Sequence, residues 1–183
     1  MKKIGFLVNP IAGMGGRVGL KGTDGEGILE KAISLGAVQE APDKAKKALS
    51  KVVELKDKFT IYTASGLMGE IECKELGLNY EVVYNAKENS SVSDSRELLK
   101  YFLENDIELI FFVGGDGTAR DVYSVVEDKI PVIGVPAGVK IHSPVYGNTP
   151  EQAGSLLYEV INGVELPVIE KDVVDIDEEA FRD

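Results

Sequence analysis

Cysteine and histidine are almost absent from this sequence, which limits the kinds of site it can build. The 183 residues include one cysteine, Cys73, and one histidine, His142. A single cysteine excludes an internal disulfide and suits a reducing compartment. The two residues together cannot make a zinc site with the usual cysteine and histidine spacings. We therefore expect a cytoplasmic protein.

Long hydrophobic runs and positive charge are also scarce. No apolar run approaches the ~20 residues of a membrane-spanning helix, and the apolar stretch after Lys2 and Lys3 is too short for a signal peptide. Lysine and arginine number 20 against 31 aspartates and glutamates, which gives a formal net charge of −11. This charge disfavours nucleic acids and anionic membranes as partners. The length favours one domain, or one domain plus a fragment.

Short apolar stretches alternate with amphipathic ones. The first predicted strand is Lys2–Asn9, whose apolar residues run together as in a buried parallel strand. The other predicted strands are Phe59–Thr63, Tyr80–Tyr84, Ile107–Val113 and Ile130–Val135, with a further strand at Leu166–Asp175. The predicted helices are Gly27–Leu35, Pro42–Leu55, Leu67–Leu76, Ser93–Glu104, Ala119–Glu127 and one that begins at the capping box Thr149-Pro150-Glu151-Gln152. This alternation predicts a doubly wound, Rossmann-like parallel α/β sheet in the order 3-2-1-4-5.

Two glycine-rich stretches follow predicted strands. Asn9–Gly22 follows the first strand, and Gly114-Gly115-Asp116-Gly117-Thr118 follows the fourth. Glycine lets backbone amides approach a ligand without an intervening side chain. Asn9–Gly22 is not a Walker A loop, and it misses the dinucleotide fingerprint because Val18 occupies the place of the third glycine. The alternatives are a flexible surface loop for Asn9–Gly22 and a tight turn with Asp116 as a local hydrogen-bond acceptor.

Both stretches lie at one edge of the predicted sheet. Strands one and four are neighbours in the order 3-2-1-4-5, and the winding reverses between them, so their carboxyl ends border the crevice where open α/β sheets bind ligands. Two glycine loops there predict a phosphate-rich ligand held by backbone amides. Arg17, Lys21, Arg120 and Lys140 lie near these loops in an otherwise acidic chain. Their charge favours an anionic ligand, accompanied by a metal ion.

The stretch Gly114-Gly115-Asp116-Gly117-Thr118 after an apolar strand resembles the signature of the NAD kinase, diacylglycerol kinase and phosphofructokinase superfamily. Further stretches are similar to one branch of it, the archaeal-type ATP-NAD kinase-like proteins, which are related to an acetoin-catabolism accessory protein. Those stretches are Asn9–Asp24, Ala64–Glu70, Gly114–Asp121 and Gly134–Ser143. The resemblance covers essentially the whole chain and implies the fold of an NAD kinase N-terminal domain.

The resemblance also implies an activity, which is transfer of a phosphoryl group from ATP, or from polyphosphate, to the 2′-hydroxyl of NAD with Mg²⁺ as cofactor. It gives the catalytic role to Asp116, whose carboxylate would accept the hydroxyl proton or help to position Mg²⁺. The residues that it assigns to nucleotide and phosphate binding are Asn9, Gly13, Gly15, Gly16, Gly114, Gly115, Gly117, Thr118, Gly138, Lys140 and His142. Lys140 and His142 are equally compatible with a solvated lysine and a structural histidine. Asp24 and Asp121 fit caps or surface carboxylates better.

Two departures from the family pattern bear on substrate and domain content. Pro136–His142 stands where typical NAD kinases have Asn-x-Gly-x-x-Gly-Phe-Leu, and no Asn-Glu pair occurs. We expect residues 1–164 to be the nucleotide-binding domain and residues 165–183 to begin a second, β-rich domain that is otherwise absent from this chain, so that the isolated domain is inactive. The expected partners are small-molecule nucleotides and that second domain; homo-oligomerisation stays open. Two other functions also stay open, a lipid or sugar kinase of the same superfamily and a non-catalytic nucleotide-sensing module.

Overall fold

Five parallel strands form the centre of the fold. The structure, a computed structural model, describes residues 1–9, 41–86, 92–137 and 149–164. The strands are β1 Lys2–Val8, β2 Phe59–Ala64, β3 Tyr80–Tyr84, β4 Leu109–Gly114 and β5 Val132–Pro136. They lie in the order β3-β2-β1-β4-β5, which confirms the predicted doubly wound α/β sheet. The predicted helix Gly27–Leu35 and the predicted strand Leu166–Asp175 lie outside the described residues.

Helices follow the strands and cover both faces of the sheet. The α-helices are α1 Ala41–Leu49, α2 Glu70–Leu76, α3 Val92–Glu104, α4 Asp116–Val126 and α5 Pro150–Ile161, and 3-10 segments span Ser50–Lys58 and Gly66–Met68. In the part of the chain that the structure describes, no helix is long and apolar enough to cross a membrane.

Two predicted helices are not continuous α-helices in the structure. Pro42–Leu55 is α-helical only as far as Leu49, and the chain then continues as a 3-10 segment. The two buried residues of that segment, Val52 and Leu55, are three positions apart, which suits a helix of three residues per turn. Leu67–Leu76 is interrupted at Gly69, where φ is +153° and a Cβ atom would collide with Thr63 Oγ1. Only glycine fits there, and it separates the 3-10 turn from α2.

The strands bury side chains on both faces. On one face, Phe6, Val8, Phe111 and Val113 pack in one core with residues of α1 and α5. On the other face, the alternate residues of the same strands, Leu7 and Phe112 among them, pack with residues of α3 and α4. Successive strand residues point to opposite faces, so a strand covered on both sides must be apolar throughout. This double burial holds the carboxyl ends of β1 and β4 in fixed positions.

Helix α5 begins as the sequence predicts. Thr149 Oγ1 accepts a hydrogen bond from Gln152 N at 3.1 Å, and Pro150 is the first helical residue. One face of the helix is buried through Ala153 and Leu157. Gly154 lies so close to α1 that a Cβ atom would collide with the carbonyl oxygen of Ala48. The cap and this close contact fix α5 against the sheet.

Candidate functional site

The carboxyl ends of β1, β4 and β5 meet at one edge of the sheet. Asn9, the residue after β1, donates its backbone N–H to Val113 O at 2.9 Å. Ala137, the residue after β5, donates its backbone N–H to Gly114 O at 3.1 Å. The residues that follow β1 and β5 are therefore both hydrogen-bonded to the end of β4. This is the edge at which open α/β sheets bind ligands.

The Gly114–Thr118 stretch is a direct strand-to-helix junction. Gly114 is the last residue of β4, Gly115 is the N-cap, and Asp116 is the first residue of α4. The predicted helix Ala119–Glu127 therefore begins three residues too late. Ala119 N donates to Gly115 O at 3.0 Å. The amides that precede Ala119 in the first turn are those that an α-helix leaves without an intrahelical partner, and they carry the positive end of the helix dipole.

The three glycines of the junction differ in whether packing requires glycine at their position. A Cβ atom on Gly114 would lie 2.5 Å from Thr118 Cβ and 2.7 Å from Thr118 Cγ2, so packing requires glycine there. A Cβ atom on Gly115 would meet no atom of the described residues within 4 Å, and one on Gly117 would only approach Arg120 Nη2 at 3.9 Å. Packing within the described residues therefore does not require glycine at 115 or 117. Bare backbone at these two positions leaves room for a ligand to approach the amides.

Exchanging glycine for alanine should therefore have opposite effects at Gly114 and Gly117. In Gly114→Ala, we expect the free energy of unfolding to fall by about 1–3 kcal/mol, as for overpacked cores. A change of Thr118 rotamer cannot relieve the overlap, because Thr118 Cβ itself is too close. Gly117→Ala lies in the first turn of α4 and should be neutral or stabilising by about 0.5–1 kcal/mol. Urea unfolding of both variants tests this, and equal stability of the two would contradict it.

Thr118 and Asn9 contact each other across the edge. Thr118 Oγ1 accepts a hydrogen bond from Asn9 Nδ2 at 3.2 Å, and Thr118 is 7% exposed. The structure thus brings together Asn9, Gly114, Gly115, Gly117 and Thr118, five of the residues that the resemblance assigns to phosphate binding. The backbone of Asp116 lies in the same turn, and Arg120 is exposed one turn further along α4. The candidate site residues Gly13, Gly15, Gly16, Gly138, Lys140 and His142, and the cations Arg17 and Lys21, lie outside the described residues.

A second group of polar contacts joins the ends of β2 and β3. Ser65 Oγ accepts from Ala86 N at 2.8 Å, and Gly66 N donates to Glu70 Oε1 at 3.0 Å. Tyr84 OH donates to Asp94 Oδ1 at 2.5 Å, and this bond raises the pKa of Tyr84. Residues Ala64–Glu70 stand out in the sequence only by their resemblance to the family, which does not predict these bonds. Two of the three bonds join residues 10 and 21 positions apart, so no local pattern signals those two.

Glu72 in α2 is a buried carboxyl group that the sequence analysis missed. The residue is 0% exposed, and neither carboxyl oxygen has a hydrogen-bond partner among the described residues. Burial raises its pKa to about 8, against the opposing effects of its own backbone amide and of the positive charge of Lys46. The preceding residue, Ile71, is 38% exposed. The amphipathic pattern of α2 was the available signal in the sequence, and it predicts that isoleucine is buried and glutamate exposed. The structure has the opposite arrangement at these two positions.

Comparisons with known proteins identify the family. A family model described as the ATP-NAD kinase N-terminal domain matches residues 4–164. The comparison with curated proteins finds no match. One similar solved structure, titled "Crystal structure of ZnuA", is 9% identical over 74% of this chain and 48% of that chain, with a TM-score of 0.31. This chain thus aligns with less than half of that protein, and a likeness at that score carries no argument.

The family match includes every described strand and helix apart from the first two residues of β1. It also includes the junction at Gly114–Thr118 and its contact with Asn9. The chain belongs to the NAD kinase family through its N-terminal domain, and this membership supports a nucleotide-binding, phosphotransferase-type role.

Proposed function

We propose that this chain contains the nucleotide-binding domain of an ATP-dependent NAD kinase, which transfers phosphate from ATP, or from polyphosphate, to the 2′-hydroxyl of NAD to make NADP. The observation that carries the proposal is the junction between β4 and α4. Gly115 and Gly117 have no packing reason to be glycine among the described residues, and they lie where α4 begins. A ligand phosphate approaching these amides accounts for both glycines.

Phosphate suits this place for electrostatic reasons. The N-terminus of an α-helix carries a partial positive charge and unpaired amides, so it binds anions. Helix α4 has 11 residues, long enough for this effect. The chain as a whole is acidic, with a net charge of −11, so attraction of a nucleotide would depend on the local positive charge of the helix end and Arg120.

Phosphoryl transfer requires positioning and charge neutralisation more than covalent chemistry from the protein. In the proposed step, the 2′-hydroxyl oxygen of NAD forms a bond to the γ-phosphorus of ATP. The bond from that phosphorus to the bridging oxygen breaks, and ADP leaves with the electron pair. Asp116 accepts the hydroxyl proton or helps to position the metal, and the first-turn amides of α4 bind phosphate oxygens.

The donor set of this edge is compatible with Mg²⁺. The described residues contain no group of three acidic, histidine or cysteine side chains that could hold a metal ion by themselves. Mg²⁺ needs no such group, since it commonly takes one or two carboxylates together with substrate phosphates. Asp116 would provide a carboxylate, and the metal would neutralise charge on the phosphates.

The domain boundary and the branch are part of the proposal. The family match covers residues 4–164, which supports residues 1–164 as the nucleotide-binding domain. We propose that residues 165–183 begin a second, β-rich domain. We propose that this second domain is a partner in holding NAD. Ala64–Glu70 and Gly134–Ser143 support the archaeal-type branch, and the single cysteine supports a cytoplasmic location.

The test is turnover by the intact gene product with Mg²⁺, NAD and either ATP or polyphosphate. NADP is measured with an NADP-specific dehydrogenase, and we expect NADP to form in proportion to the ADP released from ATP. Phosphorylation of a lipid, a sugar or another hydroxyl compound instead of NAD would overturn the substrate. Tight binding of NAD or NADP without turnover would indicate a nucleotide sensor.

A further inference from the structure

Four segments of the chain are tied together at the carboxyl edge of the sheet. Asn9 bonds the end of β4 through its backbone N–H and the first turn of α4 through its side-chain Nδ2. The Thr118 side chain lies directly over Gly114, where any Cβ atom would overlap it. Gly114 O in turn accepts from Ala137 N. One side chain, that of Asn9, therefore connects β1 to α4.

The hydrogen bond between Asn9 and Thr118 involves a hydroxyl group that is largely shielded from solvent. Thr118 is almost fully buried, and its hydroxyl oxygen receives the Asn9 amide 3.2 Å away. Thr118 is the third residue of α4, two residues after Asp116. A hydrogen bond at this point constrains the turn whose amides face the edge. Losing the Asn9 amide would leave the buried Thr118 hydroxyl without this partner, which costs more than the bond itself contributes.

We infer that Asn9 is a positioning residue of the phosphate site, which acts through Thr118 to hold the first turn of α4 in register with the end of β1. Asn9 Nδ2 binds the threonine hydroxyl, and the amides of the turn bind the phosphate. This inference rests on the proposed function for the identity of the ligand. It assigns Asn9 and Thr118 to one shared interaction, whereas the resemblance treats them as separate phosphate ligands.

A shared interaction has a measurable signature. Asn9→Ala and Thr118→Val each remove the same hydrogen bond, and valine keeps the shape of threonine. If the pair acts as one unit, each variant should weaken binding of Mg²⁺-ATP about tenfold, and the double variant should also weaken it about tenfold. Two independent phosphate contacts would give about a hundredfold loss in the double variant. Thr118→Ser keeps the hydroxyl and should restore binding to within about twofold of the wild type.

The experiment has two arms on the 183-residue chain. In the first, amide hydrogen exchange without ligand is followed at Ala119, whose N–H closes the first turn of α4. Exchange should accelerate about tenfold in Asn9→Ala and in Thr118→Val, but not in Thr118→Ser. In the second arm, calorimetry gives the dissociation constant of Mg²⁺-ATP for the single and double variants. Asn79→Ala is the matched control, because its side-chain amide binds Lys56 O in another part of the fold.

The two arms separate this inference from the proposed function. Unchanged exchange at Ala119 in Asn9→Ala, or multiplicative losses of affinity in the double variant, would overturn the positioning role while leaving nucleotide binding intact. If the two variants exchange faster at Ala119 but the wild type binds no ATP, the positioning of α4 is supported and the nucleotide is overturned as the ligand. In the intact gene product, Asn9→Ala should lower kcat/KM for ATP, and Thr118→Ser should keep it.

Discussion

Replacing Glu72 with glutamine is expected to remove most of the difference in stability between pH 5 and pH 9 that the wild type shows. In the folded protein, burial without a hydrogen-bond partner raises the pKa of Glu72 from 4.5 to about 8. The unfolded chain has no such burial, so its Glu72 titrates near 4.5. Between these values the folded protein binds more protons than the unfolded chain, and stability must fall as the pH rises.

The size of the effect follows from the shift. The contribution of Glu72 is fully favourable below pH 4.5 and is lost as the pH rises to about 8. Each unit of pKa difference corresponds to about 1.4 kcal/mol, so the loss over the whole window is at most about 5 kcal/mol. The charged groups that act on Glu72 are Lys46 from α1, which favours ionisation, and Glu75 from its own helix, which opposes it. Lys46 is itself paired with Glu75 at 2.8 Å.

Urea unfolding at several pH values between 5 and 9 measures this directly. The free energy of unfolding of Glu72→Gln should change little with pH from pH 6 upwards. Glu72→Met should be more stable than the wild type at pH 9. Glu97→Gln in α3 is the control, because Glu97 is not among the charged groups that act on Glu72. It loses only an exposed ion pair with Lys100 at 3.4 Å, worth about 1 kcal/mol or less, and should keep the wild-type pH dependence. A Glu72→Gln variant with the wild-type slope would contradict the buried-carboxyl account.

Replacing Asp116 with asparagine should lower turnover of the intact gene product by about a hundredfold or more. Asparagine is nearly isosteric with aspartate but cannot accept the hydroxyl proton and is a weaker ligand for a metal. Asp116 is the first residue of α4, and its backbone lies at the edge where the phosphates are proposed to bind. The loss should appear in kcat, with the KM for ATP changed only a few fold.

The matched control is Asp121→Asn in the same helix. Asp121 belongs to the same sequence motif but is five residues away, so it projects from a different side of α4. We expect it to keep turnover within a few fold of the wild type. If Asp121→Asn abolished turnover and Asp116→Asn did not, the catalytic role would belong to the other carboxylate. Far-UV circular dichroism and unfolding midpoints of both variants establish that each is folded.

The fold was predictable because the strongest sequence signals agree with the tertiary structure. The apolar runs of β1 and β4 are buried on both faces, so periodicity and packing require the same residues. The start of α4 was placed three residues late because glycine and aspartate have low helix propensity. Packing of Thr118 on Gly114 overrides that propensity and extends the helix to Asp116.

The site was predictable in location but not in its internal contacts. Glycines after neighbouring parallel strands indicate one edge, whatever the details of the loops. The bond between Asn9 and Thr118 joins residues 109 positions apart, and only the assembled sheet brings them together. Glu72 was missed for a different reason, since a local pattern cannot tell that α2 turns its carboxyl group inward and Ile71 outward.

The most direct test of the account is a titration of the isotopically labelled 183-residue chain with Mg²⁺-ATP, followed by the backbone amide resonances in NMR spectra. We predict that, among the described residues, the largest shifts occur at Gly115, Gly117 and Thr118, with a smaller shift at Asn9 and little change across Tyr80–Tyr84. If the largest shifts occurred in the Ser65–Glu70 segment instead, or if no resonance shifted at millimolar nucleotide, a phosphate site at the start of α4 would be contradicted.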